Sequence, residues 1–333
     1  MSVLEVARKL WRRRVERPRA KASDTDRRYA LARAAAEPTG THAAIRLLEL
    51  LGLTLQTKMR GCLPEWWRQQ ERASANPSGD YFDLITGLPI LAERVADAAP
   101  MVLIPGGCFL MGWAEEDCRW VRHNSALFNI GIDDAGGGSQ HRVILSPYYM
   151  DVHSVTKAQY YRFRPKGRTR RSLKTHGDHP VSSVTWFDAR AYAKWASADL
   201  PTEGQWERAA RGGRQCRYPW GNELPDSSRL NFEGRCGSTT PVRSFPPNPF
   251  GLSDMAGNVY DWCLDWYSHD YYAIAPQRNP PGPKEGETKV LRGASWGRWA
   301  PSDAGLCHVA FRHDGKPSES CSYWGFRCVV NVI

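Results

Sequence analysis

The sequence predicts a loop-rich α+β domain with a small, irregular sheet, preceded by a helical extension. Three observations carry this. Fourteen Trp, 29 Gly and 23 Pro in 333 residues describe a chain that turns often and is pinned by large aromatic anchors, because Gly and Pro are the strongest breakers of regular elements. Three short segments led by Thr at 156, 185 and 202 carry helix-start signals. From Tyr218 onward, Gly and Pro punctuate the chain every few residues.

Taken in order, residues 1–98 read as helical. Leu47, Leu48, Leu50, Leu51 and Leu55 form an apolar face with Arg46 and Glu49 outward. Asn76-Pro77-Ser78-Gly79-Asp80 is a turn cluster, and Pro89–Val95 reads as one more short helix with Pro in its first turn. Trp66 and Trp67 are candidates to dock this part on the rest. At Met101 the texture changes. A strand runs through Ile104 into Pro105-Gly106-Gly107, residues 114–140 read as a long loop hinged at Gly136-Gly137-Gly138, and Val143–Val152 is a second strand region. Helices follow at Thr156–Phe163, capped by Ser154 or Thr156, and at Trp186–Ser197, capped by Thr185. A third opens at Thr202-Glu203-Gly204-Gln205 and ends at Gly212-Gly213. Two domains are expected, 1–98 and 99–333.

Hydrophobic content of 41% and charged content of 24% suit a soluble chain. No stretch reaches the roughly 20 apolar residues of a membrane span, no signal peptide follows the start, and no membrane partner is expected. The formal net charge is +10. Residues 1–33 hold 11 Lys and Arg against 4 Asp and Glu, so most of the excess is a local arm. That arm leaves two readings open: a solvated helix face, or contact with nucleic acid or an acidic protein. Nine cysteines without a C-x-x-C pair point to a reduced, cytoplasmic setting and lack zinc-ligand spacing.

The C-terminus is the most informative stretch. Arg292-Gly293-Ala294-Ser295-Trp296 and Gly325-Phe326-Arg327 read as a frame. The 28 residues between them, 297–324, mix large aromatics with charges and show no period of 2 or 3.6. Arg298, Trp299, Ser302, Asp303, His308, His313, Asp314, Lys316, Glu319, Tyr323 and Trp324 are of the types that make contact surfaces. They are the candidate binding residues for a protein or other macromolecular ligand, with Trp296 and Phe326 expected inside. Glu203 and Arg211 read as buried ion partners, not as an acid–base pair.

Several motifs together resemble the formylglycine-generating-enzyme (sulfatase-modifying factor) domain. They are Ile104-Pro105-Gly106-Gly107 with Met111-Gly112, His179-Pro180-Val181, and Leu200-Pro201-Thr202-Glu203-Gly204-Gln205-Trp206-Glu207-Arg208. Tyr218-Pro219-Trp220-Gly221-Asn222, Asp254-Met255-Ala256-Gly257-Asn258-Val259-Tyr260-Asp261-Trp262 and the C-terminal frame follow in order. The resemblance implies a C-type-lectin-like α+β fold with little regular structure over about 100–330. Fold does not settle function. The oxidising members hold copper with two cysteines five residues apart, the first two residues after the Gly-Gly-Ser-aromatic motif. Here Arg298 stands at that first position and Cys307 is the only nearby thiol, so a thiolate pair for soft Cu(I) is missing and neither copper nor iron is expected. A sulfoxide-synthase branch needs a three-His iron site, and residues 1–100 hold His42 alone. A third branch, the variable proteins of diversity-generating retroelements, brackets a diversified binding segment between similar frames; Ala294 in place of Gly is the departure. The resemblance also implies a Ca²⁺ site at Asp254, Gly257, Val259 and Asp261, whose carboxylates are hard donors. The expected function is non-catalytic recognition on a lectin-like fold. The alternatives are a fixed sensor or adaptor in a bacterial defence or signalling system, or an oxidase of the same family.

Overall fold

The structure is a computed structural model that describes residues 47–55, 64–69, 73–75, 81–83, 88–123, 140–165, 176–297 and 304–332. Its strands are β1 (Leu53–Leu55), β2 (Ala73–Ala75), β3 (Tyr81–Asp83), β4 (Leu91–Arg94), β5 (Pro100–Ile104), β6 (Gly107–Met111), β7 (His141–Leu145), β8 (Tyr148–Asp151), β9 (Tyr260–Trp266), β10 (Lys289–Arg292), β11 (His313–Gly315), β12 (Trp324–Gly325) and β13 (Val329–Asn331). A five-stranded sheet runs β1-β4-β5-β8-β13 and a four-stranded one β11-β10-β9-β12; β2-β3 and β6-β7 form two ribbons.

The central sheet forms around β5. Met101, Val102, Leu103 and Ile104 are all fully buried, so both faces are covered and the run reads as continuously apolar, as buried strands do. β4 pairs with it antiparallel, Leu91 opposite Val102 and Ala92 opposite Met101. Within 89–95, Leu91–Arg94 is therefore strand, not the expected helix. The reason is long-range: Arg94 is fully buried between Asp97 and Asp151, at 2.7 Å from each, and Asp151 lies on β8. The expected boundary at 98/99 falls in the turn of this hairpin. Before it, residues 47–50 and Glu65–Arg68 are helical, yet β1 and β4 belong to the same sheet as β5. Trp67 is buried in the common core.

The three Thr-led helices form where their local signals lie. Thr156, Thr185 and Thr202 each close a capping box, with Gln159, Asp188 and Gln205 as the returning side chains. Such caps satisfy N–H groups that have no partner within the helix, each about 1 kcal/mol. Gly212 ends the third helix at φ 59°. A Cβ there would sit 2.7 Å from Pro249. One loop reading is corrected and one strand reading is divided. Within 114–140, Glu115–His123 is a helix with three acids in its first turn and Arg122 and His123 in its last, a charge order that suits the helix dipole; Gly136–Gly138 lie outside the described residues. The region 143–152 is two strands in different sheets, split at Ser146-Pro147.

The helix Glu203–Arg211 is buried at all nine positions, so its charged residues need partners inside. Glu203 pairs with Arg312 at 2.7 Å and Arg292 at 3.6 Å, and Arg211 pairs with Glu207 at 2.7 Å. Both are ion partners as expected, though not of each other. Arg327 pairs with Asp261 at 2.7 Å with neither side chain exposed. Removing one member of such a pair strands the other charge, at a cost of about 3–5 kcal/mol. Arg327→Met is thus expected to lower the melting temperature sharply, and adding Asp261→Asn to recover part of the loss. A single variant that melts like the parent would show that the pair contributes nothing.

Asp265 is a second test of the interior. Burial, reinforced by the nearby Glu203 carboxylate, pushes its carboxyl up to about 7, while one oxygen accepts the Glu203 N–H at 2.9 Å. Its folded value lies above the unfolded one of about 3.9, so the folded state holds the extra proton between these values. Its contribution is fully present below about pH 4 and is lost as pH rises toward 7. Asp265→Asn keeps an acceptor but cannot ionise. It is expected to melt at nearly the parent temperature at pH 4 and above it at pH 8; the reverse order in melts across pH would contradict the assignment.

Candidate recognition surface

The frame is built by residues that leave no space. Gly293 has φ 101°, and a Cβ there would meet the Trp206 ring at 2.8 Å; a Cβ on Gly325 would lie 2.6 Å from the Val181 carbonyl oxygen. Ala294, at the position where the family frame has Gly, has φ 59° and is buried. A side chain in that left-handed conformation costs roughly 1–2 kcal/mol, which is the physical content of the departure. Arg292 and Arg327 pin the two ends, both fully buried. Phe326 is buried as expected, whereas Trp296 is half-buried and rests on Tyr323 with ring centroids 4.9 Å apart.

The segment between the frame ends divides in two. Ala304 to Arg312 is buried throughout. His308 therefore presents no contact surface: it stacks on Trp113 at 3.9 Å, and its Nε2 faces Asp117 at 3.6 Å. Its polar atoms serve the interior, which composition alone does not distinguish from a surface. His313, Asp314, Tyr323 and Trp324 are half-buried, and Lys316, Ser318, Glu319, Ser320 and Ser322 are exposed. His313 packs on Tyr260 at 5.1 Å and Trp324 on Trp262 at 5.1 Å. Burial pushes the His313 imidazole down, against the pull of Asp314. Lys316 and Glu319 stand 3.9 Å apart with most of each side chain in solvent. Arg298, Trp299, Ser302 and Asp303 lie outside the described residues, as does the basic arm at 1–33.

Backbone bonds carry this rim onto a neighbouring helix start. The Trp186 N–H donates to the Pro317 carbonyl at 3.2 Å and the Ser183 N–H to the Cys321 carbonyl at 3.0 Å. Phe187, the next residue of that helix, is 56% exposed, a residue the sequence reading passed over. The available signal was its place off the Trp186, Ala189, Ala193, Ala196 face. On the other side the Gly234 N–H donates to the Trp296 carbonyl at 2.7 Å.

The expected Ca²⁺ ligands do not fit a cation. Asp261 accepts from Arg327 Nε at 2.7 Å, from Trp206 Nε1 at 3.0 Å and from Ser154 Oγ at 3.1 Å. The guanidinium also donates to the Asp254 carbonyl at 2.9 Å. The Asp254 carboxylate accepts the Arg243 N–H at 2.9 Å. Gly257 has φ 76°, and its N–H is turned to the Gly293 carbonyl. A positive charge already sits against Asp261, and a second would repel it. The thiols near the frame are Cys307, which is buried, and Cys321, which is half-buried.

This geometry can be compared with known proteins. Residues 89–332 match the sulfatase-modifying factor enzyme 1-like domain, a span that begins before β4. The serine/threonine-protein kinase pkn1 of Chlamydia pneumoniae is 41% identical over 218 residues, which cover 58% of this chain and 34% of that protein. The chain thus spans about a third of that relative's length. The formylglycine-generating enzyme of Streptomyces coelicolor is 33% identical over 308 residues, covering 71% of this chain and 91% of that one. Among solved structures, PvdO from Pseudomonas aeruginosa superposes with a TM-score of 0.59 at 25% identity, over 72% of this chain and 97% of that chain. Treponema denticola variable protein 1 does so at 0.56 and 24%, over 70% and 95%, a likeness of fold alone. The C-type-lectin-like α+β fold and the matched span agree, and the chain belongs to the sulfatase-modifying factor enzyme 1-like domain family.

Proposed function

We propose that this chain is a non-catalytic recognition module whose binding face is the rim around Trp296, His313, Asp314, Lys316, Glu319, Tyr323 and Trp324. One observation carries the reading: between two buried frame ends, residues 316–324 contribute exposed or half-exposed polar and aromatic side chains on a backbone held by the helix start at Trp186. Aromatic anchors in a polar rim supply most of the affinity of protein interfaces. The partner is a macromolecule, and the segment is one that a retroelement could diversify. The setting is cytoplasmic, in keeping with nine cysteines that form no C-x-x-C pair. The arm at 1–33 is a second contact, for protein or nucleic acid.

The fixed sensor or adaptor remains a second reading, favoured by the 41% identity to proteins named as kinases. A ligand-reading domain attached to a kinase would need the same rim with an unvarying sequence. The flanking DNA separates the two: a template repeat differing from codons 297–324 mainly at adenines supports diversification, and its absence supports the fixed sensor.

Catalysis is tested directly. With Arg298 at the first copper position, protein supplied with Cu(I) is expected to leave the cysteine of a sulfatase peptide unoxidised; turnover that Cys307→Ala abolishes would overturn the non-catalytic reading. That a bovine relative, 27% identical, is named inactive agrees with a family in which oxidation is not universal.

The rim is tested by charge reversal. Lys316→Glu with Glu319→Lys is expected to change stability by no more than about 0.5 kcal/mol, as exposed substitutions do. The same change is expected to abolish capture of the partner, in calcium and in EGTA alike. Capture that survives reversal would remove the rim from the interface, and capture lost in EGTA would restore a metal to it.

A further inference from the structure

Four buried donors gather behind the inner half of the C-terminal segment, away from the rim. Trp113 Nε1, Gln140 Nε2, Tyr218 Oη and His308 Nε2 have no hydrogen-bond partner within the protein. Trp113 is 3% exposed, Tyr218 0% and His308 2%. Their placement is close. The Trp113 and His308 rings stack at 3.9 Å, the Tyr218 ring stands edge-on 6.1 Å from His308, and the Gln140 N–H donates to the Trp113 carbonyl at 3.2 Å. The His308 tautomer follows from its other nitrogen. Nδ1 accepts the Ala310 N–H at 3.0 Å, so the proton of the neutral ring is on Nε2. Burial holds the ring toward that neutral form, opposing the pull of Asp117.

The surroundings are short of acceptors. Asp117 Oδ1 is taken by Arg217 Nε at 2.7 Å, and Oδ2 is 3.6 Å from His308 Nε2. That gap is beyond a direct hydrogen bond. Arg217 balances the Asp117 charge, so the neighbourhood does not expel an anion. Buried donors in folded proteins are nearly always satisfied, and these four lie on neighbouring residues.

We propose that Trp113, Gln140, Tyr218 and His308 line a site for one hydrogen-bond acceptor of single-atom size, a halide ion that can take all four donors or a water molecule that accepts from two of them. Its place ties Trp113, just before the Glu115–His123 helix, and the Arg217–Tyr218 loop to residues 307–310, which already pair through the Val309 N–H and the Arg217 carbonyl at 2.8 Å. The bound species would fasten the inner half of the segment while the rim stays free, and it stands whether or not the rim binds a macromolecule.

Diffraction from crystals of the full chain grown in chloride and soaked in bromide tests this. The expected result is density within about 3.5 Å of at least two of the four donors. A bromide anomalous peak there, with a melting temperature that rises in millimolar sodium bromide but not in sodium gluconate, assigns a halide. Ordinary density without the anomalous signal assigns water. The absence of density at any such point overturns the proposal. Tyr218→Phe gives an independent reading. With an acceptor present it loses a hydrogen bond, and its melting temperature falls by about 2–4 °C. An unchanged or higher value means that the hydroxyl had no partner to lose, and likewise overturns it.

Discussion

Glu207 is the charge on which the C-terminal frame depends. It has no exposed side-chain surface, and burial alone would raise its carboxyl. Arg211 and Arg292 reverse this and hold it below the ordinary carboxylate range. One oxygen takes Arg211 at 2.7 Å and the Gly112 N–H at 2.8 Å, and the other takes Arg292 at 2.6 Å. Arg292 also donates from Nη1 and Nη2 to the carbonyls of Val309, Ala310 and Phe311. One buried carboxylate thus joins the helix Glu203–Arg211, the end of β6, and a stretch of the segment with no strand of its own.

The same device recurs wherever the backbone is irregular. Carbonyls that belong to no ladder still need donors once they are buried, and arginine supplies five in a rigid fork. Arg208 serves Pro105 and Gly106, Arg211 serves Gly112 and Cys216, Arg312 serves Ser268, and Arg327 serves Ser253 and Asp254. Each is largely buried. Part of the basic excess of this chain is therefore internal, spent on carbonyls and on Glu203, Glu207 and Asp261. A charge count reads such residues as surface, which is why net charge said little about partners beyond the arm.

What was legible in the sequence was local. The three Thr-led helices declared themselves because a capping box is complete within four residues. The apolar run of β5 did so because both its faces are buried. What failed depended on distance along the chain. β4 reads as a helix start at Pro89, but its conformation follows from Arg94 reaching Asp151, 57 residues away. His308 looks like a surface residue until Trp113 stacks on it. Asp261 looks like a metal ligand until Arg327 arrives 66 residues later. The frame glycines were visible as letters, but their reason was not: the clash that forbids a side chain comes from Trp206 at one end and Val181 at the other.

These constraints decide where the segment can vary. From Ala304 to Arg312, every residue is buried, the Val309–Phe311 carbonyls are held by Arg292, and Arg312 closes on Glu203. A change there disturbs the network that fixes the frame. Gly315 has the Trp324 and Trp262 rings within 3.1 Å of where a Cβ would stand, so it too is held. Between Lys316 and Ser322 the backbone is anchored through the carbonyls of Pro317 and Cys321, bonds that any side chain permits. The exposed side chains there touch no part of the ion network. Within the described segment, side chains can be exchanged at low cost only over this short stretch. Variation on this fold is thus a matter of a few side chains set on a frame whose geometry is decided elsewhere.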